Sequence, residues 1–269
     1  MKYSLFTTAN KSYYPFLDIL TTSALENCEN LHHIYVGDSG LGEFLDPISK
    51  KDDVITLRPA HDDVVDEEFA GVHSKGWVAA TQLKTRMLQR LLHMVDFDHS
   101  LILIDSDVCI LKDLSEYIDP REDLQFTSMS TGGHTRADGI FIRDIASFLI
   151  INDQDAGKRF LKQWIKRMED FAQDGTPYAH ETPAMNMTIA DNAMKMKLGF
   201  LEEIEVCADS EVQDDTASVH FKSNGSTKDD PITNFEKRVM SVNNQTLKDL
   251  DFGQYLDEKT YYEWKLSYA

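Results

Sequence analysis

Cysteine is scarce. Of 269 residues, only Cys28, Cys109 and Cys207 carry a thiol. An odd, unpaired set with no C-x-x-C spacing argues against a disulfide framework and for a reducing compartment. Long apolar runs are missing too. No stretch approaches the ~20 residues of a membrane span; Leu101–Ile104 and Phe148–Ile151 are only the size of core strands or helix segments. Met1–Ala9 has no basic region followed by a long apolar run, so no signal peptide and a cytoplasmic location are expected. Basic residues are in deficit: 27 Lys and Arg face 46 Asp and Glu, a net charge of −19. Spread over the surface, that charge would repel nucleic acid and anionic membranes. An anionic small substrate would need a local cation or a basic pocket.

The remaining composition is that of a globular protein, 42% hydrophobic and 27% charged. The length allows one large α/β domain or two small ones, and no internal repeat is evident. Tyr3–Thr8, His33–Val36, Val54–Leu57, Leu101–Ile104, Gln125–Met129, Gly139–Ile142 and Ser218–Phe221 read as strands. Phe16–Asn27, Trp77–Met94 and Thr182–Ala190 read as helices, and so does most of Ala146–Phe171, around a break near Asn152–Gly157. On Trp77–Met94, the residues Leu83, Met87, Leu88, Leu91 and Leu92 share one face. His61–Glu68 and Lys222–Asp230 read as polar loops. Alternating strands and helices predict a mostly parallel, mixed sheet covered on both faces, with ligands at the carboxyl ends of its strands. A boundary is expected just past Pro231. It separates a main domain, 1–235, from a tail, 236–269, that packs back through Tyr255, Tyr261, Tyr262 and Trp264.

The informative segment is Leu101-Ile102-Leu103-Ile104-Asp105-Ser106-Asp107-Val108. Four apolar residues make a buried strand, and two carboxylates emerge at its carboxyl end. Residues i and i+2 of an extended chain point to one side. Two carboxylates held there repel each other unless a cation lies between them. Hard oxygen ligands suit Mn²⁺ or Mg²⁺, with substrate phosphates completing the shell. A metal–diphosphate clamp of this kind would supply the cation that an acidic protein lacks.

Ile104-Asp105-Ser106-Asp107-Val108, followed by Leu111-Lys112-Asp113-Leu114, resembles the D-x-D region of the GT-A glycosyltransferases. It is most similar to the retaining group that contains glycogenin and the bacterial lipopolysaccharide galactosyl- and glucosyltransferases. The resemblance implies a Rossmann-like nucleotide-diphospho-sugar fold and a metal-dependent hexosyltransferase. Its substrates would be a nucleotide sugar, UDP-sugar by preference, and a hydroxyl acceptor such as a carbohydrate. Further matches follow in chain order. The end of the first strand, Thr7, Thr8 and Ala9, with Tyr13 beyond it, would hold base and ribose. Lys84 or Arg86, two apart on one helix, would reach the diphosphate or the sugar, Lys84 being the better placed. Ser106 would lie against the donor between the two aspartates. Ala137-Asp138-Gly139-Ile140 resembles the family's N-A-G-V turn beside the donor sugar. His180-Glu181-Thr182-Pro183-Ala184-Met185-Asn186 stands where the family has D-Q-x-x-x-N. Asp138 and Glu181 would therefore line the reacting centre. Thr182 in place of the Gln leaves retaining versus inverting chemistry open. His220, followed by Gly225 and Lys228, resembles the late H-x-x-G-x-x-K element. The His would be the third metal ligand and the Lys would bind diphosphate. The spacing from His220 to Lys228 is wider than in that element, which makes Lys222 the alternative for that second role.

Two rivals share the central motif. A haloacid dehalogenase-type phosphatase also opens on an apolar strand ending in D-x-D, but normally near the start of its domain, and no convincing downstream acidic pair with a Lys follows here. A non-catalytic nucleotide-sugar-binding protein on the same fold is the other.

Overall fold

The computed structural model describes residues 1–59, 75–136, 139–174, 180–191, 195–207, 213, 215–221 and 252–268. A seven-stranded mixed sheet organises them. Its strands are β1 (Tyr3–Ala9), β2 (Leu31–Asp38), β3 (Val54–Leu57), β4 (Ser100–Ile104), β6 (Leu124–Ser128), β9 (Asp144–Ile151) and β10 (Leu198–Glu202). Their order across the sheet is β10-β6-β9-β4-β1-β2-β3. β9 runs antiparallel to both β4 and β6, while every other pairing is parallel. Two short pairs stand apart: β5 (Val108–Ile110) with β11 (Ser218–His220), and β7 (His134–Thr135) with β8 (Phe141–Ile142).

The strands are apolar on both faces because helices cover both faces. Ile102, Ile104, Phe148 and Ile150 join the core beneath α1 (Tyr14–Asn27) and α2 (Leu45–Ser49). Leu101, Leu103, Leu149 and Ile151 join the core beneath α3 (Lys75–Met94), α4 (Gln154–Gln173) and α5 (Glu181–Asp191). Doubly covered strands read as continuous apolar runs. The predicted stripe of α3, Leu83, Met87, Leu88, Leu91 and Leu92, is buried throughout. Each such side chain stabilises the fold by about 1.5–3 kcal/mol. α4 starts at Asp153, whose carboxylate accepts the Ala156 N–H at 2.7 Å. Its first turn lies so close to the sheet that a Cβ on Gly157 would meet Ile151 Cγ2 at 2.7 Å.

One expectation is corrected. The segment Ala146–Phe171 was expected to be mostly helical, but 144–151 is a fully buried strand, and the helix begins only at Gln154. The run Ile145–Ile151 pairs with β4 on one edge and β6 on the other. Satisfying both ladders at once overrides any helical tendency in the run. Tyr255 is buried in one apolar cluster with Phe16, Ile19 and Cys109, and Tyr261 is partly buried against it. Tyr262, in α7 (Glu258–Tyr268), is instead 62% exposed. α6 (Glu203–Val206) completes the elements used below. The Trp264 side chain, the segments 61–68 and 222–230 and the boundary between 235 and 236 lie outside the described residues. Among the described residues, no helix is long and apolar enough to cross a membrane.

Candidate active site

β4 ends at Ile104, and the Asp105 N–H still donates to Ser147 O of β9 at 3.0 Å. The chain then turns through Ser106 and Asp107 and leaves the sheet as β5. There it pairs with β11 so that His220 stands opposite Val108. The Phe221 N–H donates to Asp107 O at 2.8 Å, which closes the turn. His220 is thereby laid over both carboxylates. Its Nε2 lies 3.2 Å from Asp107 Oδ1 and 3.7 Å from Asp105 Oδ2. Asp107 and His220 are buried, and Asp105 is partly open, its side chain 25% exposed.

Lys84 enters from α3. It is buried, and its Nζ donates to Asp105 Oδ1 at 2.6 Å. The same Nζ lies 3.7 Å from Glu181 Oε1 and 3.4 Å from Ala146 O. Arg86, two residues on, points outward to Glu169 at 3.4 Å. Glu181 begins α5 and is fixed from behind, because Trp164 Nε1 donates to its carbonyl at 2.8 Å. Its Oε2 is buried and takes no hydrogen bond among the described residues.

The electrostatics follow. Burial penalises the Lys84 ammonium, but the negative charges of Asp105 and Glu181 outweigh it and raise its pKa, so it stays charged. Burial alone would raise the Asp107 carboxyl, yet the charge and hydrogen bond of His220 hold it below the usual carboxylate range. Tyr13 lies close enough that Asp107 and Asp105 add to the effect of burial in raising its phenol. Three carboxylates thus converge on one lysine and one imidazole.

The donor set fits a divalent cation. One ligand atom each from Asp105, Asp107 and His220 lies within 4.8 Å of the others, and two hard oxygens with one imidazole nitrogen suit Mn²⁺ or Mg²⁺. The buried carboxylate excess gives such an ion an electrostatic reason to bind.

The other expected residues are placed unevenly. Thr8 is partly exposed at the end of β1, while Thr7, Ala9 and Ser106 are buried. Asp138, Gly225 and Lys228, and Lys222 as the alternative, lie outside the described residues. Sequence reasoning missed Ser147, whose carbonyl anchors Asp105 and whose Oγ is buried without a hydrogen-bond partner among the described residues. It also missed His180, with Nδ1 3.8 Å from Glu181 Oε2. The role of Asn186 was missed as well. Its side-chain oxygen accepts the N–H groups of Arg143 and Asp144 at 2.9 and 3.0 Å, which fixes the start of β9. Reading 145–151 as a strand beside β4 would have brought Ser147 to notice.

Residues 45–252 match the family of nucleotide-diphospho-sugar transferases. No curated protein matches the chain significantly. Among solved structures, it is similar to the galactosyltransferase LgtC in complex with donor and acceptor sugar analogs. That likeness has a TM-score of 0.55 and 13% identity, covering 82% of this chain and 87% of the other. An active-site mutant of LgtC is similar with a TM-score of 0.55 and 12% identity, covering 84% of this chain and 91% of the other. The fold is therefore the expected GT-A arrangement, and the phosphatase alternative is left without support. With its family match covering most of its length, the chain belongs to the nucleotide-diphospho-sugar transferases and is a glycosyltransferase.

Proposed function

We propose that this transferase moves a sugar from a UDP-sugar to a hydroxyl acceptor, with Mn²⁺ or Mg²⁺ held by Asp105, Asp107 and His220. The observation that carries the reading is the convergence of those three side chains at the carboxyl end of β4, with Lys84 beside them. LgtC, the similar galactosyltransferase, has been crystallised with donor and acceptor sugar analogs, which supports a two-substrate site on this fold. A bound divalent ion would supply charge neutralisation for the leaving diphosphate.

The protein's own groups do the rest. The Lys84 ammonium, already charged and buried, offers hydrogen bonds to donor oxygens and offsets the repulsion between Asp105 and Glu181. Oε2 of Glu181, which takes no hydrogen bond among the described residues, would accept a hydrogen bond from a sugar hydroxyl, or the proton of the acceptor. Tyr13 and the end of β1 would line the nucleotide side. By the same reading Asp138 lies beside the donor sugar, and Gly225 and Lys228 close on the diphosphate.

The test is a thermal-shift series of UDP-, GDP- and CDP-sugars with and without Mn²⁺, followed by turnover assays on the hits. The expected result is stabilisation by UDP-sugar that depends on Mn²⁺, about 2.7 kcal/mol at a hundredfold excess over Kd. Stabilisation by no nucleotide sugar, or equal stabilisation with and without metal, would count against the reading. Binding without transfer or hydrolysis would point to a protein that only binds nucleotide sugars.

A further inference from the structure

His220 sits on a strand of only three residues, and the strand's two faces are treated differently. Ser218 and His220 point one way, Val219 and Phe221 the other. Up to Ser218 the chain is secured by polar contacts. The Ala217 N–H donates to Glu205 O at 2.8 Å, Ala217 O accepts from Leu111 N at 2.8 Å and Lys112 N at 3.1 Å, and Ser218 Oγ donates to Val206 O at 2.6 Å. Beyond that point side chains add to the pairing with β5 and to the Phe221 N–H bond to Asp107 O. Val219 and Phe221 are buried in one apolar cluster with Phe16, Ile19, Cys109, Tyr255 and Leu256. His220 faces the carboxylates because its two neighbours face this cluster; a one-residue slip would exchange them.

Tyr255 and Leu256 come from the far end of the chain, and they are held there. The Asp257 N–H donates to Asp18 Oδ2 at 2.9 Å, and the other oxygen of that buried carboxylate is 2.6 Å from Lys51 Nζ. Asn27 Nδ2 reaches both Ile110 O of β5, at 2.8 Å, and the Tyr255 hydroxyl, at 3.4 Å. The Phe221 ring continues the contact to α1, 5.7 Å from Phe16, which is itself 5.9 Å from Tyr13.

We propose that Tyr255 is a positioning residue for His220: its ring backs β5 and β11 and so sets the imidazole over Asp105 and Asp107. The effect on metal rests on the proposed metal-binding role of His220. The effect on the strand does not.

Two measurements test it. The first is Mn²⁺ binding, read from the free-ion electron paramagnetic resonance signal. Tyr255→Ala should weaken it about tenfold, the low end for outer-shell changes around a metal. Tyr255→Phe should stay within about twofold of wild type, because the hydroxyl's contact to Asn27, which links it to β5, is long. Tyr255→Leu keeps an apolar cover of smaller volume and should fall between. It also serves as the probe should the alanine variant fail to fold. The second measurement is amide exchange at Phe221 without metal, which reports the hydrogen bond to Asp107 directly. It should speed up in the Ala and Leu variants and not in the Phe variant. Unchanged Phe221 exchange in Tyr255→Leu would overturn the proposal. So would an equal loss of Mn²⁺ affinity in Leu103→Ala at a matched drop in melting temperature, since the effect would then be general destabilisation. Absence of Mn²⁺ binding by the wild-type protein would remove the metal reading, while Phe221 exchange would still decide the role of Tyr255.

Discussion

The two sheets that meet at Asp105 are held in different ways. β4 has five buried residues and a hydrogen-bonded partner on each edge, β1 and β9. β5 and β11 have three residues each, and side chains from elsewhere hold them: Ser23 Oγ accepts the Ile110 N–H at 3.0 Å, and Asn27 takes the Ile110 carbonyl. The large sheet is over-determined by apolar burial. The small one, which carries the third candidate ligand, is buried too, but among the described residues each of its strands has one hydrogen-bonded partner instead of two. Fold stability and site geometry should therefore be separable by mutation.

The largest effect is expected in the large sheet. Leu103 is fully buried in β4, and Leu103→Ala should cost about 3 kcal/mol of unfolding free energy, read by urea titration. Mn²⁺ affinity of the remaining folded protein should hardly change. A loss of both together would erase the contrast. Asp107→Asn should do the reverse. On the proposed metal role it should lower Mn²⁺ affinity by about 100-fold or more, because it removes the charge of a direct ligand where outer-shell changes alone cost 10–100-fold. Its circular dichroism spectrum should match wild type. Unchanged Mn²⁺-dependent turnover in that variant would break the metal assignment.

A smaller effect is expected where β5 leads on. The Asp113 carboxylate accepts N–H groups from Ser115 at 2.7 Å and Asn30 at 2.8 Å. Burial opposes its ionisation, but these hydrogen bonds, with those from the Ser115 and Asn30 side chains, hold it below the usual carboxylate range. Asp113→Ala should cost about 1 kcal/mol at pH 7. A depressed carboxyl stabilises the fold above its unfolded pKa, so the gap between variant and wild type should shrink as pH falls through the lowered folded value. A gap that widens in acid would contradict the assignment. The smallest effect is a silence. All three cysteines are buried, with burial pushing Cys28 up to about 11 and Cys109 up to about 12. A thiol reagent at pH 8 should leave the native protein unlabelled and should modify all three after denaturation. Rapid labelling of Cys109, which lies in β5 beside the Tyr255 cluster, would show that the small sheet opens on its own.

The same contrast accounts for what is legible in the chain itself. Leu101–Ile104 and the stripe of α3 announce themselves because burial is written in side-chain chemistry. Asp105 and Asp107 stand out because two like charges converging after an apolar strand repel each other until a cation joins them. β9 was misread because a run buried on both faces has no alternation, and Ile145–Ile151 fits a strand or a helix equally. β5 and β10 left no signal: Val108–Ile110 is too short, and Gly199 interrupts Leu198–Glu202. His220 could be placed near the aspartates only through family likeness, since nothing local in Ser218–Phe221 says which strand it will pair with. Ser147 and the bracing by Tyr255 depend on contacts between distant segments, and no window of sequence contains them.

The pairing of β5 with β11 also has a consequence in time. The half of the centre that carries Asp105 and Asp107 rests on β4 and β1, both early in the chain. His220 is synthesised more than a hundred residues later. At ordinary elongation rates the carboxylate pair leaves the ribosome roughly 5–20 s before the imidazole. During that interval the nascent chain carries two converging carboxylates without their nitrogen partner, and only the closing of a long loop completes the set.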